Sequence, residues 1–344
     1  MHAVPDSITT QPCPPDARAP WQYTISQKLT LIKKLRVAFP AFQDAMDEII
    51  EMVDLGDCAL GFSGVFIIGE SGSGKTTFLE SILERYPFYE RVECTVRPAV
   101  MAKVPSAPSI KFIARRILAA LGDPLAYAPR RDNDELTKGI VTLLKECRTQ
   151  VLLLDEVNNF LQKKGRHDSV LDLSNWIKEI VDLSGVLIVL SALPIGEAIT
   201  QSNEQLRRRF SAPLYLELVK KNRKETNLTN FRGVLKDVDE KLPTLRRSNL
   251  HEKDLSLRLF YATDGLIGLL MKLLRRAIRI AHKRNAPQLD LAILEEAFMA
   301  EIWTNGEGPL NPFNQQFIRR RLDHVGEPYG PEVQSPAKRK GGGK

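Results

Sequence analysis

A short apolar segment followed at once by a glycine-rich loop restricts the fold of this chain more than any other feature. Residues 64–68 (GVFII) have the continuous apolar character of a strand buried on both faces. Residues 69–76 (GESGSGKT) match the phosphate-binding pattern GxxxxGK[ST]. The pattern from Lys75 to about Arg85 then predicts a helix. A strand, a glycine loop and a helix in this order predict a nucleotide phosphate site in an α/β domain.

The glycine loop has a direct chemical interpretation. Glycines let backbone N–H groups turn towards phosphate oxygens, and the start of a helix adds positive potential. Lys75 is expected to bridge the β- and γ-phosphates of ATP, and the Thr76 hydroxyl is expected to ligate Mg²⁺. A chance glycine-rich turn is the alternative, and the flanking strand and helix disfavour it. The predicted nucleotide-binding residues are Gly69, Glu70, Ser71, Gly72, Ser73, Gly74, Lys75, Thr76 and Thr77.

A second buried strand is predicted at Val151–Leu154, and two carboxylates follow it, Asp155 and Glu156. Asp155 is expected to hold Mg²⁺, and Glu156 is placed to orient and deprotonate the water that attacks the γ-phosphate. A strand that ends in acidic residues is common by itself. Together with Lys75 it predicts hydrolysis of ATP rather than storage of a nucleotide.

Strand patterns alternate with helical patterns through the middle of the chain, and only helical patterns follow residue 220. The alternation predicts an α/β core with a parallel sheet sandwiched by helices, and the later part predicts an all-helical lid. The further strands are predicted at residues 91–96, 186–190 and 213–218. The helices are predicted at residues 109–121, 134–147, 170–183, 255–262, 266–284 and 289–302.

These patterns divide the chain into five segments. Residues 1–21 are rich in proline and predict a disordered arm, and residues 22–60 predict a helical lead-in. Residues 61–220 form the predicted ATPase core, and residues 221–302 form the lid. Residues 303–344, which are rich in glycine and proline and contain basic clusters, predict a flexible basic tail.

Composition limits the function only weakly. The net charge of +7 and the pI near 9.2 suit a nucleic-acid partner, but many basic proteins bind none. The chain lacks a run of about 20 apolar residues and a signal-like start, so we expect a cytoplasmic protein without a membrane segment. The four cysteines are widely separated, which argues against a zinc site or a disulfide framework.

With these residues in view, the chain resembles AAA+ ATPases, and within that class the TniB/TnsC-type transposition regulators. The resemblance extends from about Trp21 to Ile302. It rests on the glycine loop, the acidic strand, residues 204–210 and the lid segment Thr263–Gly268.

The resemblance implies ATP and Mg²⁺ as cofactors, and departures from the family pattern at Ser191 and Leu269 favour slow, regulatory hydrolysis. It also implies a ring or helical filament of subunits around duplex DNA, bound without sequence specificity, that links target-selection proteins to a transposase. ATP would sit between subunits and stabilise the assembly, and hydrolysis would release it.

An arginine cluster lies in residues 204–210, downstream of the predicted strand at 186–190. A guanidinium group presented to the γ-phosphate of a neighbouring subunit can stabilise the charge of the transition state. We favour Arg209 over Arg208 for this role. A solvated basic surface is the alternative.

The sequence departs from the family pattern at two positions. Ser191 stands near the end of the predicted fourth strand, where relatives carry a threonine that senses the γ-phosphate, and it is a candidate substitute. The lid arginine of relatives is replaced by Leu269. Lys272, about one helical turn later, could reach the phosphates, with surface charge as the alternative.

The resemblance also indicates where DNA could bind. Lys103 matches a position at which relatives contact the DNA backbone, and Arg130 and Arg131 in a nearby loop are further candidates. We expect phosphate contacts without base reading. For each residue the alternative is a solvated side chain, and the same choice applies to the basic lid helix that includes residues 272–284.

Two competing functions remain open. A signalling or defence ATPase would bind protein partners without DNA. A replication loader or initiator ATPase would carry a winged-helix domain after the lid, and the roughly 40 residues beyond Ile302 are too few and too rich in Gly and Pro for one. ATP-dependent, salt-sensitive DNA binding separates the first alternative from the transposition hypothesis.

Overall fold

The structure is a computed structural model that divides into two compact units. The core unit comprises Ala38–Asn230 and Leu266–Gly268, and the helical unit comprises Met1–Val37, Phe231–Gly265 and Leu269–Lys344. The residues described are 20–55, 63–92, 94–106, 108–162, 166–201, 204–219 and 228–331. Most of the predicted N-terminal arm and the end of the predicted tail lie outside these ranges.

The core unit is built on a parallel five-stranded sheet. Its strands are β1 (Gly64–Ile68), β4 (Ala99–Lys103), β5 (Val151–Asp155), β6 (Leu187–Ala192) and β7 (Leu214–Tyr215), and the short strands β2 (Tyr89–Glu90) and β3 (Thr95–Val96) form a separate antiparallel pair. The order across the sheet is β4-β5-β6-β1-β7, with every pairing parallel. Strand β6 therefore separates the glycine-loop strand from the acidic strand.

The three central strands are buried at every position. Their near-continuous apolar sequences explain this, since helices cover both faces of a parallel sheet. The polar exceptions stand near the carboxyl ends, where Asp155 and Ser191 are fully buried. Parallel strands place these ends at one edge, and the candidate site forms there.

Helices flank the sheet. Within the core unit, the helix that follows the glycine loop is Lys75–Arg85, as predicted. Ser109 and Asp132 each accept a hydrogen bond from the backbone three residues later, which fixes the starts of two further helices. Among the residues that the structure describes, the α-helices are α1 (Ile25–Lys34), α2 (Pro40–Leu55), α3 (Lys75–Arg85), α4 (Ile110–Leu121), α5 (Asn133–Glu146), α6 (Arg166–Ser184), α7 (Glu197–Gln201), α8 (Glu204–Arg209), α9 (Thr229–Lys241), α10 (Lys253–Thr263), α11 (Ile267–Lys283) and α12 (Leu291–Glu301).

Two predicted strands differ from the structure. The strand expected at residues 91–96 is wrong, because the chain makes the β2–β3 pair there and the sheet strand β4 follows instead. The carbonyl of Pro98 accepts hydrogen bonds from the backbone of Gln150 and Val151 just before β4 begins, and β4 then pairs with β5. The strand expected at residues 213–218 is reduced to the two residues of β7.

The helical unit contains α1, most of α9, α10, most of α11 and α12. Helix α9 is absent from the prediction, although Phe231, Val234, Leu235 and Val238 form a buried face at helical spacing. The ring of Phe231 packs edge-on against Phe260, with centroids 6.0 Å apart. Among the helices that the structure describes, none combines the length and the apolar character that a membrane crossing requires.

The segment after α12 differs from the expected flexible tail over residues 303–331. Arg321 pairs with Asp264 through two hydrogen bonds of 2.9 and 2.7 Å, and Phe313 and Leu322 are buried. Aromatic and arginine anchors therefore attach this segment to the helical unit. The lead-in also divides differently, since α1 belongs to the helical unit and α2 to the core unit.

Candidate nucleotide site

The glycine loop adopts a conformation that glycine alone permits at several positions. Gly72 and Gly74 have φ angles of +80° and +97°, which side chains rarely adopt. A Cβ atom on Gly69 would lie 2.3 Å from Oγ of Ser73. The loop thus curls tightly between β1 and α3.

Lys75 is held inside this curl. Its Nζ atom donates hydrogen bonds to the carbonyl oxygens of Gly69, at 2.7 Å, and Glu70, at 2.9 Å. Burial lowers the pKa of Lys75, and the nearby charges of Asp155, Glu70 and Glu156 oppose that shift. The ammonium group is therefore surrounded by oxygen atoms that an anionic phosphate can replace.

Donors from helix α3, from strand β6 and from the residue after β5 meet at the carboxylate of Asp155. The hydroxyl of Thr76 donates to Oδ2 at 2.8 Å, and the hydroxyl of Ser191 donates to Oδ1 at 2.8 Å. The backbone N–H of Glu156 also donates to Oδ1. This convergence follows from the strand order. Strand β6, which carries Ser191, lies between β5, which ends in Asp155, and β1, which leads into the glycine loop and α3.

Glu156 stands just beyond the end of β5 with a left-handed φ of +60°, uncommon for a residue with a side chain. Its Oε1 atom forms a 2.9 Å ion pair with Nζ of Lys103, and this hydrogen bond raises the pKa of Lys103. The amide of Asn159 contacts the other carboxylate oxygen at 3.5 Å and donates to the carbonyl of Val104 at 2.9 Å. Lys103, on the neighbouring strand β4, and Asn159 therefore restrain the carboxylate of Glu156, the predicted base.

A cavity of about 440 Å³ opens over these groups. The segment Leu266–Gly268 belongs to the core unit, and the N–H of Gly268 donates to the carbonyl of Gly72 at 2.7 Å. A Cβ atom on Gly268 would lie 2.9 Å from that oxygen, so close approach explains this glycine. The lining residues are Ser71, Gly72, Gly74, Lys75, Thr76, Thr77, Asp155, Glu156, Asn158, Asn159, Leu193 and Gly268.

The chemistry of the lining fits a magnesium–triphosphate group. Hydroxyl and carboxylate oxygens, as in Thr76 and Asp155, are the ligands that Mg²⁺ prefers. The glycine loop and Lys75 supply backbone and ammonium donors of the kind that bind phosphate. The cavity therefore brings together the residues that the sequence predicts for nucleotide and metal.

Four lining residues were not predicted as site residues: Asn158, Asn159, Leu193 and Gly268. Asn158 accepts a hydrogen bond from the backbone of Leu193 at 3.1 Å, and it thereby joins the segment after β5 to the end of β6. Asn159 contacts Glu156. Two asparagines one residue after an acidic pair are the sequence signal that could have identified Asn158 and Asn159.

Other predicted site residues have partners elsewhere. Arg209 pairs with Asp182 at 2.6 Å, and Arg208 pairs with Glu204 at 2.6 Å. Neither arginine is among the described residues that line the cavity. Their assignment to a neighbouring subunit therefore stays a prediction.

Lys272 binds the carbonyl oxygen of Glu301 at 2.8 Å within the helical unit, so its role at the phosphates also stays a prediction. Among the expected DNA contacts, Arg130 is exposed, whereas Arg131 is tied to Asp123 at 2.6 Å. Arg131 therefore supports its own loop.

A profile described as bacterial TniB protein matches residues 29–220, more than half of the chain. The chain belongs to the TniB family. This membership confirms the resemblance that the motifs indicated. A search of curated proteins gave no match for this TniB-family chain.

Solved structures similar to this TniB-family chain show the same fold. Cdc6p from Pyrobaculum aerophilum has a TM-score of 0.56 at 14% identity, over 78% of this chain and 69% of that one. ORC1 from Aeropyrum pernix, solved in complex with DNA, gives 0.54 at 17%, over 78% and 68%. ORC2 from Aeropyrum pernix, in its ADP form, gives 0.56 at 16%, over 81% and 74%. The predicted AAA+ fold, a parallel sheet with flanking helices and a helical C-terminal part, is confirmed.

Proposed function

We propose that this TniB-family chain is an ATP-dependent regulator of DNA transposition. It assembles on duplex DNA, links target-selection proteins to a transposase, and disassembles when ATP is hydrolysed. The convergence of Lys75, Thr76, Asp155 and Glu156 on one cavity, in a chain of this family, carries the proposal. The ORC1 structure with bound DNA provides a precedent for the fold on DNA.

Each residue of the nucleotide site has a separate role in the proposed hydrolysis of ATP. The glycine loop and Lys75 bind and orient the phosphates, and Thr76 and Asp155 hold Mg²⁺, which when bound supplies positive charge that stabilises the phosphoryl group. Ser191 fixes the orientation of the Asp155 carboxylate. Glu156 accepts a proton from the attacking water once its carboxylate is released from Lys103. Hydrolysis by such a restrained base is slow and regulatory.

Assembly requires a group from a second subunit. Arg209 serves this role if it exchanges Asp182 for the γ-phosphate of its neighbour, and the more exposed Arg208 is the second candidate. A contact of this kind joins unlike surfaces of two identical chains. Such contacts close into a ring or continue as a helical filament, depending on the rotation between subunits.

Duplex DNA is expected to bind through phosphates. Lys103 is half exposed, and the exposed guanidinium of Arg116 lies next to it, donating to the carbonyl oxygen of Lys103 at 3.1 Å. Arg130 adds a further exposed cation. Affinity that depends on such contacts falls steeply as salt increases, because binding releases counterions.

Fluorescence anisotropy of a labelled duplex tests the proposal. The protein with a non-hydrolysable ATP analogue and Mg²⁺ should bind the duplex at low salt, and Lys75→Ala should abolish binding and assembly. Absence of duplex binding by the wild-type protein under these conditions contradicts the proposal and favours a signalling ATPase.

A second experiment tests the assigned base. Glu156→Gln should still bind ATP, should lose at least about 100-fold in turnover, and should remain on DNA after ATP addition. Glu146→Gln, at the exposed end of α5, is the matched control and should behave as wild type. Normal turnover in Glu156→Gln rules out the assignment.

A further inference from the structure

A second cavity, of about 270 Å³, lies entirely within the helical unit. Residues 21–23 and helix α1 form one side of it, and residues 243–245 form another. The end of α11 and residues 285–287 close the remainder. Because none of its lining residues belongs to the core unit, the cavity is separate from the nucleotide site.

Lys28 is the unusual member of this lining. The residue is only 8% exposed, and burial lowers the pKa of its side chain. None of the described lining residues is acidic, and in the described part of the chain no carboxylate pairs with Lys28. A lysine that is largely covered and has no counter-charge is costly to keep charged, so the cavity favours a ligand that brings a negative charge.

The rest of the lining is mainly apolar and partly accessible. Trp21 is 43% exposed and Leu245 is 55% exposed, while Ile278 and Ala281 are buried. The volume is below the range of about 300–1,000 Å³ typical of sites for small molecules. It suits one or two amino-acid side chains, as in the anchor pockets of protein interfaces, whose main contacts are often made by Trp and Tyr.

We propose that this cavity binds an acidic peptide segment of a partner protein. An apolar side chain of the peptide enters the cavity, and a neighbouring carboxylate pairs with Lys28. This inference goes beyond ATP-dependent assembly on DNA and does not depend on it.

A peptide fits better than the other anionic polymer, DNA. A duplex presents its phosphates on a broad surface and would need exposed cations, whereas Lys28 is covered and its surroundings are apolar. A carboxylate at the end of a flexible side chain can reach a covered ammonium group. The closing basic segment of this chain, residues 338–340, carries the wrong charge to occupy the cavity.

Peptide titration tests the inference with the full chain. The probes are acetyl-Leu-Asp-Leu-amide and its neutral counterpart acetyl-Leu-Asn-Leu-amide, with calorimetry as the main readout and tryptophan fluorescence, sensitive to Trp21, as the second. The acidic peptide should bind roughly tenfold more tightly than the neutral one, as expected for a hydrogen bond between charged groups.

Substitutions in α1 test whether Lys28 causes the preference for the acidic peptide. Lys28→Met should reduce binding of the acidic peptide to the level of the neutral peptide, and Lys28→Arg should retain the preference. Lys33→Met, at an exposed position of the same helix, is the matched control and should leave both affinities unchanged. Circular dichroism and thermal unfolding establish that each variant is folded.

Several results would overturn the inference. Equal binding of the two peptides by the wild-type protein rules out the charge contact even if Lys28→Met fails to fold. An undiminished preference in a folded Lys28→Met variant rules out Lys28. Displacement of the acidic peptide by a short duplex assigns the cavity to DNA, and binding seen only after removal of residues 1–19 assigns it to the chain's own arm.

Discussion

The Nζ atom of Lys103 lies 2.9 Å from Oε1 of Glu156, at the carboxyl ends of two neighbouring parallel strands. The register of β4 and β5 sets Lys103 opposite Asp155, so the side chain of Lys103 reaches Glu156, just beyond the end of β5. The residue expected to contact DNA is therefore paired with the residue expected to activate water. Lys103 can pair fully with a DNA phosphate, and Glu156 can act fully on the attacking water, only when the ion pair between them is broken.

The first prediction follows from this pair. Lys103→Ala should raise ATP hydrolysis without DNA, because the carboxylate of Glu156 is no longer occupied. An exposed ion pair is worth up to about 1 kcal/mol, which corresponds to a rate increase of up to about fivefold. Phosphate release without DNA measures it. Lys138→Ala, at an exposed position of α5, is the control, and an unchanged basal rate in Lys103→Ala contradicts the restraint.

The second prediction concerns the hydrogen bond between Ser191 and Asp155. Both residues are fully buried, so Ser191→Ala leaves the carboxylate with one donor fewer. Loss of a buried hydrogen bond to a charged group costs about 1.5–3 kcal/mol, and urea unfolding should show a decrease of this size. ATP hydrolysis should fall as well. Ser191→Thr keeps the hydroxyl and should recover the rate of ATP hydrolysis. Equal rates of hydrolysis for Ser191→Ala and the wild type would exclude a role for Ser191 in hydrolysis.

The third prediction uses two glycines in different surroundings. A methyl group on Gly268 would lie 2.9 Å from the carbonyl oxygen and 3.0 Å from Cα of Gly72. Gly268→Ala should therefore displace the glycine loop and weaken ATP binding by about 1–3 kcal/mol, measured with a fluorescent analogue.

Gly233 provides the matched control for that experiment. It lies inside α9 and has open space around it, so Gly233→Ala should leave ATP affinity unchanged. It should also stabilise the protein by about 0.5–1 kcal/mol, because alanine loses less conformational entropy in a helix. Equal losses of affinity in both variants would show that the approach of Gly268 to Gly72 has no special importance.

The fourth prediction concerns pH. The hydrogen bond from Arg320 lowers the pKa of Glu327 from 4.5 to about 2. A carboxyl group whose pKa is depressed on folding stabilises the folded state above its ordinary pKa, and this contribution is lost as the pH falls from 4.5 towards 2. Urea unfolding of the wild type and Glu327→Gln should therefore differ at pH 6 and converge as the pH approaches 2. A difference in unfolding free energy between Glu327→Gln and the wild type that stays constant with pH contradicts this account. Glu307→Gln, at an exposed position, is the control and should show no pH-dependent difference from the wild type.

The sequence predicted the residues of the glycine loop and the acidic strand better than the residues that follow β5. Asp155 ends a buried strand and Glu156 follows it, and Lys75 and Thr76 begin the helix after the glycine loop. Short-range patterns therefore predict both the elements and the placement of these residues at one sheet edge. Asn158 and Asn159 were missed because a turn after an acidic pair has no periodicity to mark it. Strand β4 was missed because pairing with the distant strand β5 defines it. Helix α9 was missed although Phe231, Val234 and Val238 form an apolar face at helical spacing.

The amino-acid sequence by itself determined the glycine loop, the acidic strand, the alternation of strands and helices, and the family. These features depend on residue type and spacing over short stretches, where local backbone preferences and burial dominate. Only the tertiary structure decided that β6 lies between β1 and β5 and that Lys103 meets Glu156. It also decided that Gly268 touches the loop and that residues 303–331 pack on helices. Such contacts join residues far apart in the chain, and the packing of the whole sheet and of each unit selects them.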